Sequence, residues 1–233
     1  MGTIYLVRHG QAAFGTDDYD RLTETGFAQA RLLGERFVER GLTFAATYSG
    51  TLRRHTETLE GILEGMRLAG RALAPGHESH EQLNEYNPEA VVAAFSGAKL
   101  TLEPGAERRD PQLMRQHFRV LRDALIAWAE GRTAPQGMPD WVAFQRAAVA
   151  VLTRAREAHP EGAVLIVSSG GPIAALVSDA LQAPPSVAID LNLRVRNSGV
   201  TEFATSAKRH HLVGFNSISH LETVASSALV TFA

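Results

Sequence analysis

Short apolar runs that stop abruptly at polar or glycine residues alternate along this chain with amphipathic stretches, and that alternation admits few architectures. TIYLV (3–7) is short, apolar and ended by polar residues and Gly10, as a buried strand is. From Thr23 the apolar residues take up helical spacing at Phe27, Ala30, Leu33 and Phe37. Thr23 suits the N-cap, Glu24 the first turn and Gly41 the end. FAATYS (44–49) is expected as a second strand, and Leu52, Leu59, Ile62, Leu63 and Met66 mark a second amphipathic helix. Strand, helix, strand, helix is the pattern of an α/β fold.

The middle of the chain differs. Between about Pro75 and Thr133 strands are hard to find, and PEAVVAAF and DPQLMRQHFRVLRDALIAWAEG are expected to be helical. In the second of these Leu113, Val120, Leu121, Ala124, Leu125 and Trp128 share a face. TAPQGMPD (133–140) is a loop, followed by a helix with Trp141, Phe144, Ala148, Val151, Leu152 and Ala155 inward. The α/β pattern resumes at AVLIVSS, and two β-rich pieces, SGVTEFAT (198–205) and RHHLVGFN (209–216), follow. The expectation is one α/β domain over residues 1–233, a three-layer sandwich with a mostly parallel central sheet flanked by helices. A helical cap insertion at about 75–145 would lie over the strand ends.

Composition narrows the function classes. With 233 residues, 45% of them hydrophobic, the chain can bury a large core. A net charge of −2 gives no basic surface for nucleic acid and no polybasic membrane patch. Cysteine is absent, which excludes disulfides and thiolate metal sites. MGTIYLVRHG has too few apolar residues before Arg8 for a signal-peptide core, and no run approaches the ~20 apolar residues of a membrane span. A cytoplasmic protein without nucleic-acid or membrane partners is expected. Its oligomeric state is not legible.

Ligands of open α/β sheets sit beyond the carboxyl ends of the strands. Four polar segments lie there: RHGQA (8–12), SGTLRRHTET (49–58), EQLNEYNPEAV (81–91) and SSGG (168–171). Brought together, they supply an imidazole, guanidinium groups, a carboxyl group and backbone N–H donors. Arginine pairs bidentately with phosphate oxygens. Fixed positive charge and N–H groups stabilise a phosphoryl group in transfer. A neutral imidazole is a nucleophile, and neighbouring Arg8 and Arg54 would hold His9 neutral. A carboxyl group can protonate a departing alkoxide. Taken singly, Arg8–His9 reads equally as a polar loop, Arg53–Arg54 as a solvated helix face and Glu85 as a surface carboxylate. Order along the chain gives them weight, since each follows a strand or opens a helix at one end of the fold.

At these residues the chain resembles the histidine phosphatase superfamily, which includes the cofactor-dependent phosphoglycerate mutases. YLVRHGQA is similar to its signature strand and turn, LTETGFAQA to its LTxxGxxQA helix start, and SGTLRRHTET to its SSPLxRAxxTA segment. Leu52, Arg54 and Thr58 are the matching positions of the last, so Arg54 rather than Arg53 is the second phosphate arginine. LNEY resembles the segment with the proton donor, which falls on Glu85, and VLIVSSGG stands in the place of VLVVSHGG. The resemblance implies that His9 takes the phosphoryl group and passes it to water, that Arg8 and Arg54 clamp phosphate, and that Glu85 protonates the leaving group. Gln11, Ser169 and Gly170 are further candidate phosphate contacts, with Gln11 open to a loop-anchoring role instead. No metal or cofactor is expected. The partner is a small phosphorylated metabolite or phosphate.

Two departures from the family pattern matter. The mutases carry a longer segment, rich in Asn and Trp, after the RHG turn. QAAFGTDDYDRLTETG stands here, which favours a phosphatase over a mutase-like phosphotransferase. The family's second histidine, a donor to the phosphoryl oxygens, is replaced by Ser169. Loss of one such donor commonly costs on the order of 100- to 1000-fold in rate. A weakened or inactive phosphate-binding protein of the same fold is therefore the rival reading, and Ser169→His should raise turnover if the site is merely weakened. Gly170, Gly171 and Pro172 keep the helix start, whose N–H groups suit an anion. His55, one residue from Arg54, is expected to point away from that residue's face. His77, Glu78, His80 and Glu81 form a loop cluster lacking the HExxH spacing of a metal site. His210, His211 and His220 are expected as packing or surface residues. The insertion's aromatics Tyr86, Phe95, Phe118, Trp128 and Trp141 fit a core better than a pocket lining.

Overall fold

The computed structural model describes residues 1–13, 18–71, 76–97, 111–223 and 226–232. Its centre is a six-stranded sheet in the order β3-β2-β4-β1-β5-β6. The strands are β1 (Gly2–Arg8), β2 (Phe44–Ser49), β3 (His77–Ser79), β4 (Gly162–Ser168), β5 (Val200–Thr205) and β6 (His210–Ser217). The first four run parallel, and β5 lies antiparallel to both β1 and β6. The parallel strands therefore end together, at Arg8, Ser49, Ser79 and Ser168.

Strand β4 shows why the sheet is a middle layer. Val164 and Ile166 point into one core, with Ile4, Leu6 and Tyr48, and Leu165 and Val167 into the other, with Tyr5 and Val7. A strand buried on both faces reads as an unbroken apolar run. Helices α1 (Glu24–Glu39) and α2 (Arg53–Leu68) cover one face through Ala30, Leu33, Phe37, Leu59, Ile62 and Met66. Helices α5 (Trp141–Ala158) and α6 (Gly170–Leu181) cover the other through Ala148, Val151, Leu152, Ala155, Ile173 and Leu176. Thr23 caps α1, accepting from the Gly26 N–H, and Gly41 takes φ +72° just beyond its end.

The remaining helices are α3 (Pro88–Ser96), α4 (Pro111–Ala129) and α7 (Pro185–Asn192). With the start of α5 they form a third cluster around Tyr86, Val91, Leu125, Trp128, Trp141 and Phe144. Tyr86, Trp128 and Trp141 are thus core, Phe118 is partly buried, and Phe95 is exposed. Leu113 departs from the face assigned to it and is exposed on the first turn of α4. The start of the expected insertion at Pro75, and residues 98–110 within it, lie outside the described residues. So do residues 14–17 of the segment after the RHG turn.

Two elements run against the patterning. Residues 77–79, which read as a loop, form the edge strand β3, too short and polar to show an alternation. Helix α7 is eight residues long and opens at Pro185. Among the described residues no helix is long and apolar enough to cross a membrane.

Candidate active site

His9 follows directly on β1 and is held by its backbone. Its N–H donates to the Ser168 carbonyl (2.9 Å), and its own carbonyl accepts from the Ser198 N–H (3.2 Å). The ring's Nδ1 lies 2.8 Å from the Gly10 carbonyl. A carbonyl only accepts, so the ring proton sits on Nδ1 and Nε2 keeps its lone pair. Burial, then Arg8, Arg54 and His55, hold the imidazole well below its ordinary pKa, hence neutral.

The two predicted arginines are buried, at 8% exposure for Arg8 and 5% for Arg54. The Arg8 Nη1 donates to the Val195 carbonyl. The Arg54 Nη1 lies 2.6 Å from the Asp20 carboxylate, and Tyr19 lies under the guanidinium at 5.3 Å. Each arginine keeps a buried Nε with no acceptor among the described residues. Buried donors are rarely left unpaired, and these two guanidinium N–H groups, whose charges act on His9, are free to meet an anion. Arg53 instead faces outward to Glu57 (2.6 Å) and Asp18 (3.1 Å). Thr58 ties the two walls together: its hydroxyl accepts from the Gly10 N–H (3.0 Å) and donates to the Arg54 carbonyl (2.6 Å).

Glu85 reaches the same place from the segment after β3. Its carboxylate accepts from the Gly171 N–H at 3.0 and 3.3 Å, and one oxygen accepts from the Tyr86 N–H at 3.3 Å. A Cβ at Gly171 would stand 2.2 Å from that carboxylate, so the close approach requires glycine. Burial raises the pKa of Glu85 and outweighs Arg54, Arg8 and the two N–H donors, which lower it. Glu85 thus takes the α6 N-terminal N–H that was expected to await an anion. The Ser168 hydroxyl donates to the Leu83 carbonyl (2.7 Å), fixing the Glu85 segment to the end of β4.

Gln11 is hydrogen-bonded to α1 and its cap: its side-chain oxygen accepts from the Thr23 hydroxyl (2.9 Å), and its N–H donates to the Gln29 side-chain oxygen (2.8 Å). Gly170 packs against Asn192, whose Oδ1 would lie 2.5 Å from an added Cβ. Ser169 is fully buried in the N-cap position of α6. Its hydroxyl lies 2.7 Å from Nε2 of His55.

His55 diverges from Arg54 as expected, yet it still enters the pocket. Residues one apart on a helix diverge by about 100°, but the pocket curves around the start of α2. Arg54 therefore faces Asp20, while His55 faces the ends of β2 and β4. The His55 ring is fully buried, 5.8 Å from the His9 ring between centroids. Burial, and next Arg54, lower its pKa to about 3.

Spacing also failed to single out Asp20, one acid of several in DDYD. Elsewhere His77 contacts the hydroxyls of Thr47, Ser49 and Ser79, and His80 pairs with Glu78. Among the described residues no three His, Cys, Asp or Glu side chains are grouped to hold a metal ion. His220 is buried against the Ser198 hydroxyl (2.8 Å).

Known proteins resemble this chain in sequence and fold. The family model described as histidine phosphatase superfamily (branch 1) matches residues 4–90 and 105–218. A 2,3-bisphosphoglycerate-dependent phosphoglycerate mutase of Bacteroides fragilis is 38% identical over 73 residues, 28% of this chain and 29% of the mutase. The chain thus spans under a third of that curated relative. The solved structure of Bacillus stearothermophilus YhfR is similar with a TM-score of 0.65 and 22% identity, over 95% of this chain and 100% of that one. A mutant phosphoserine phosphatase of Entamoeba histolytica, in complex with phosphoserine, has a TM-score of 0.62 at 18% identity, over 95% and 100%. At such identities these structures establish the shared fold. The family match, by contrast, covers most of the chain, and this protein belongs to the histidine phosphatase superfamily.

Proposed function

We propose that this protein is a phosphomonoesterase that hydrolyses a small phosphorylated metabolite through a phosphohistidine on His9. The observation that carries this reading is the convergence of a neutral imidazole, two buried arginines with orphaned Nε donors, and a partly buried carboxyl group of raised pKa. In the first step Nε2 of His9 attacks phosphorus and the ester P–O bond breaks. Glu85 gives its proton to the departing oxygen, releasing the alcohol. In the second step water attacks phosphorus, Glu85 takes back a proton, and the P–N bond breaks to leave phosphate and neutral His9. Arg8 and Arg54 hold the phosphoryl oxygens throughout, with Arg54 exchanging the Asp20 carboxylate for phosphate.

Glu85 favours turnover over mere binding. A carboxyl group whose pKa burial raises, held beside two arginines, serves a leaving group, whereas a phosphate-binding protein has no use for one. We assign substrate choice to the helical layer, where a groove of about 380 Å³ beside Glu85 is lined by Gln82, Asn84, Met138 and Phe144. A cytoplasmic setting suits a small phosphorylated metabolite. Phosphate release from a panel of phosphomonoesters tests the assignment. Turnover by the wild type and none by His9→Ala is expected. No turnover of any ester, with phosphate or vanadate still bound, would favour the binding protein.

A further inference from the structure

Among the buried titratable side chains that the two steps above leave unused, His55 lies nearest the chemistry, its ring 5.8 Å from that of His9. His55 has an Nε2 that meets the Ser169 hydroxyl at 2.7 Å, and its ring lies across from that of His9 with the planes 42° apart. The fold makes room for this ring on two sides. At Gly50 an added Cβ would lie 2.1 Å from Nδ1 and 2.6 Å from Cε1, so only glycine leaves the ring its place. At 169 a serine ends where the imidazole begins, and a longer side chain there would collide with it.

Space filling alone does not account for a histidine. A leucine or phenylalanine would occupy the notch without desolvating two ring nitrogens beside an arginine. One of those nitrogens, Nδ1, is buried with no hydrogen-bond partner among the described residues. The neighbouring Asn84 amide raises the ring's proton affinity, though less than burial and Arg54 lower it. Burial and Arg54 thus hold His55 in its neutral state.

We propose that His55 is a positioning residue of the phosphoryl site, supplying from α2 and through Ser169 the imidazole-backed donor that the turn after β4 lacks. This rests on the phosphatase reading. An oxyanion held by Arg8 and Arg54 adds negative charge near the ring and favours its taking a proton from solvent. The imidazolium then donates from Nε2 to the Ser169 oxygen and from Nδ1 toward the Asn84 amide oxygen. The Ser169 hydroxyl, keeping its proton, then donates a hydrogen bond to a phosphoryl oxygen. When phosphate leaves, the proton returns to solvent and the ring is neutral again. The expected gain from Ser169→His alone is thereby reversed, because the space that a histidine at 169 would need is already filled.

Orthovanadate binding by calorimetry in buffers of different ionisation enthalpy, alongside kcat and KM, tests the proposal. His55→Phe should weaken vanadate binding by about 10- to 100-fold and lower kcat on the order of 100-fold, with Tm unchanged. It should also abolish part of the proton uptake that accompanies binding. His55→Gln, which keeps a donor, should recover part of the loss. Ser169→Ala should match His55→Phe, and the double variant should be no worse than either single one. Should His55→Phe not fold, the ring swap decides. Ser169→His alone should gain nothing, whereas His55→Ala/Ser169→His should exceed His55→Ala. Wild-type affinity, kcat and proton uptake in a folded His55→Phe, independent losses that multiply, or a swap without gain would overturn the proposal. A wild type that neither turns over esters nor binds vanadate would overturn the phosphatase reading itself, and this inference with it.

Discussion

The two walls of the pocket are built in opposite ways. On the β1 and α2 wall each functional group is carried by the segment that the motif names: Arg8 and His9 end β1, Arg54 opens α2, and Thr58 ties them together. On the β4 and α6 wall little comes from the local segment. Ser169 is small and buried, and the polar groups around it arrive from elsewhere, His55 from α2 and Glu85 from the segment after β3. A motif read along the chain identifies the residues of the segments it names, Glu85 among them. It does not see a side chain that crosses from one wall to complete the other.

Substitutions on the two walls separate these modes of construction. The largest effect is expected on the first wall, where His9→Ala should lower turnover by roughly 10⁴-fold or more, measured as phosphate release. Arg54→Leu should cost on the order of 10²- to 10³-fold in kcat/KM, while Arg53→Ala, exposed and paired only at the surface, should change it little. On the second wall Glu85→Gln should lower kcat by about 10²- to 10⁴-fold for alkyl phosphates. The loss should be far smaller for p-nitrophenyl phosphate, whose leaving group needs no proton. Equal losses for both esters would remove Glu85 from the role of proton donor.

The smallest effect concerns stability. The folded pKa of His55, about 3, lies below the unfolded value near 6.5. The unfolded chain therefore binds this proton first, and stability falls as pH drops from 6.5 toward 3. Its full contribution is present above 6.5. His55→Gln should flatten that decline by up to about 1.4 kcal/mol per pH unit in urea titrations at several pH values. A slope unchanged from the wild type would show that the ring is not held neutral.

The sheet and its flanking helices were legible because β1, β2 and β4 carry unbroken apolar runs and α1, α2 and α5 a clear helical period. β3 and α7 were not, being three and eight residues long. Arg8, His9, Arg54 and Glu85 were legible because each sits just beyond a strand or at a helix start, positions that sequence order alone brings together. The contact of His55 with Ser169 was not legible for a physical reason: helical spacing fixes angles around one axis, whereas the pocket wraps over the end of that helix. Asp20 lay in a run of acids whose choice of partner depends on loop geometry.

The most direct measurement is the chemistry of the trapped intermediate. The wild type, incubated with a ³²P-labelled phosphomonoester and quenched in alkali, should retain label that survives base and is lost in acid, the behaviour of phosphohistidine. His9→Ala should retain none. Label that is stable in acid and released by base, or that persists in His9→Ala and disappears in Ser169→Ala, would place the phosphoryl group on the serine and contradict the role assigned to His9.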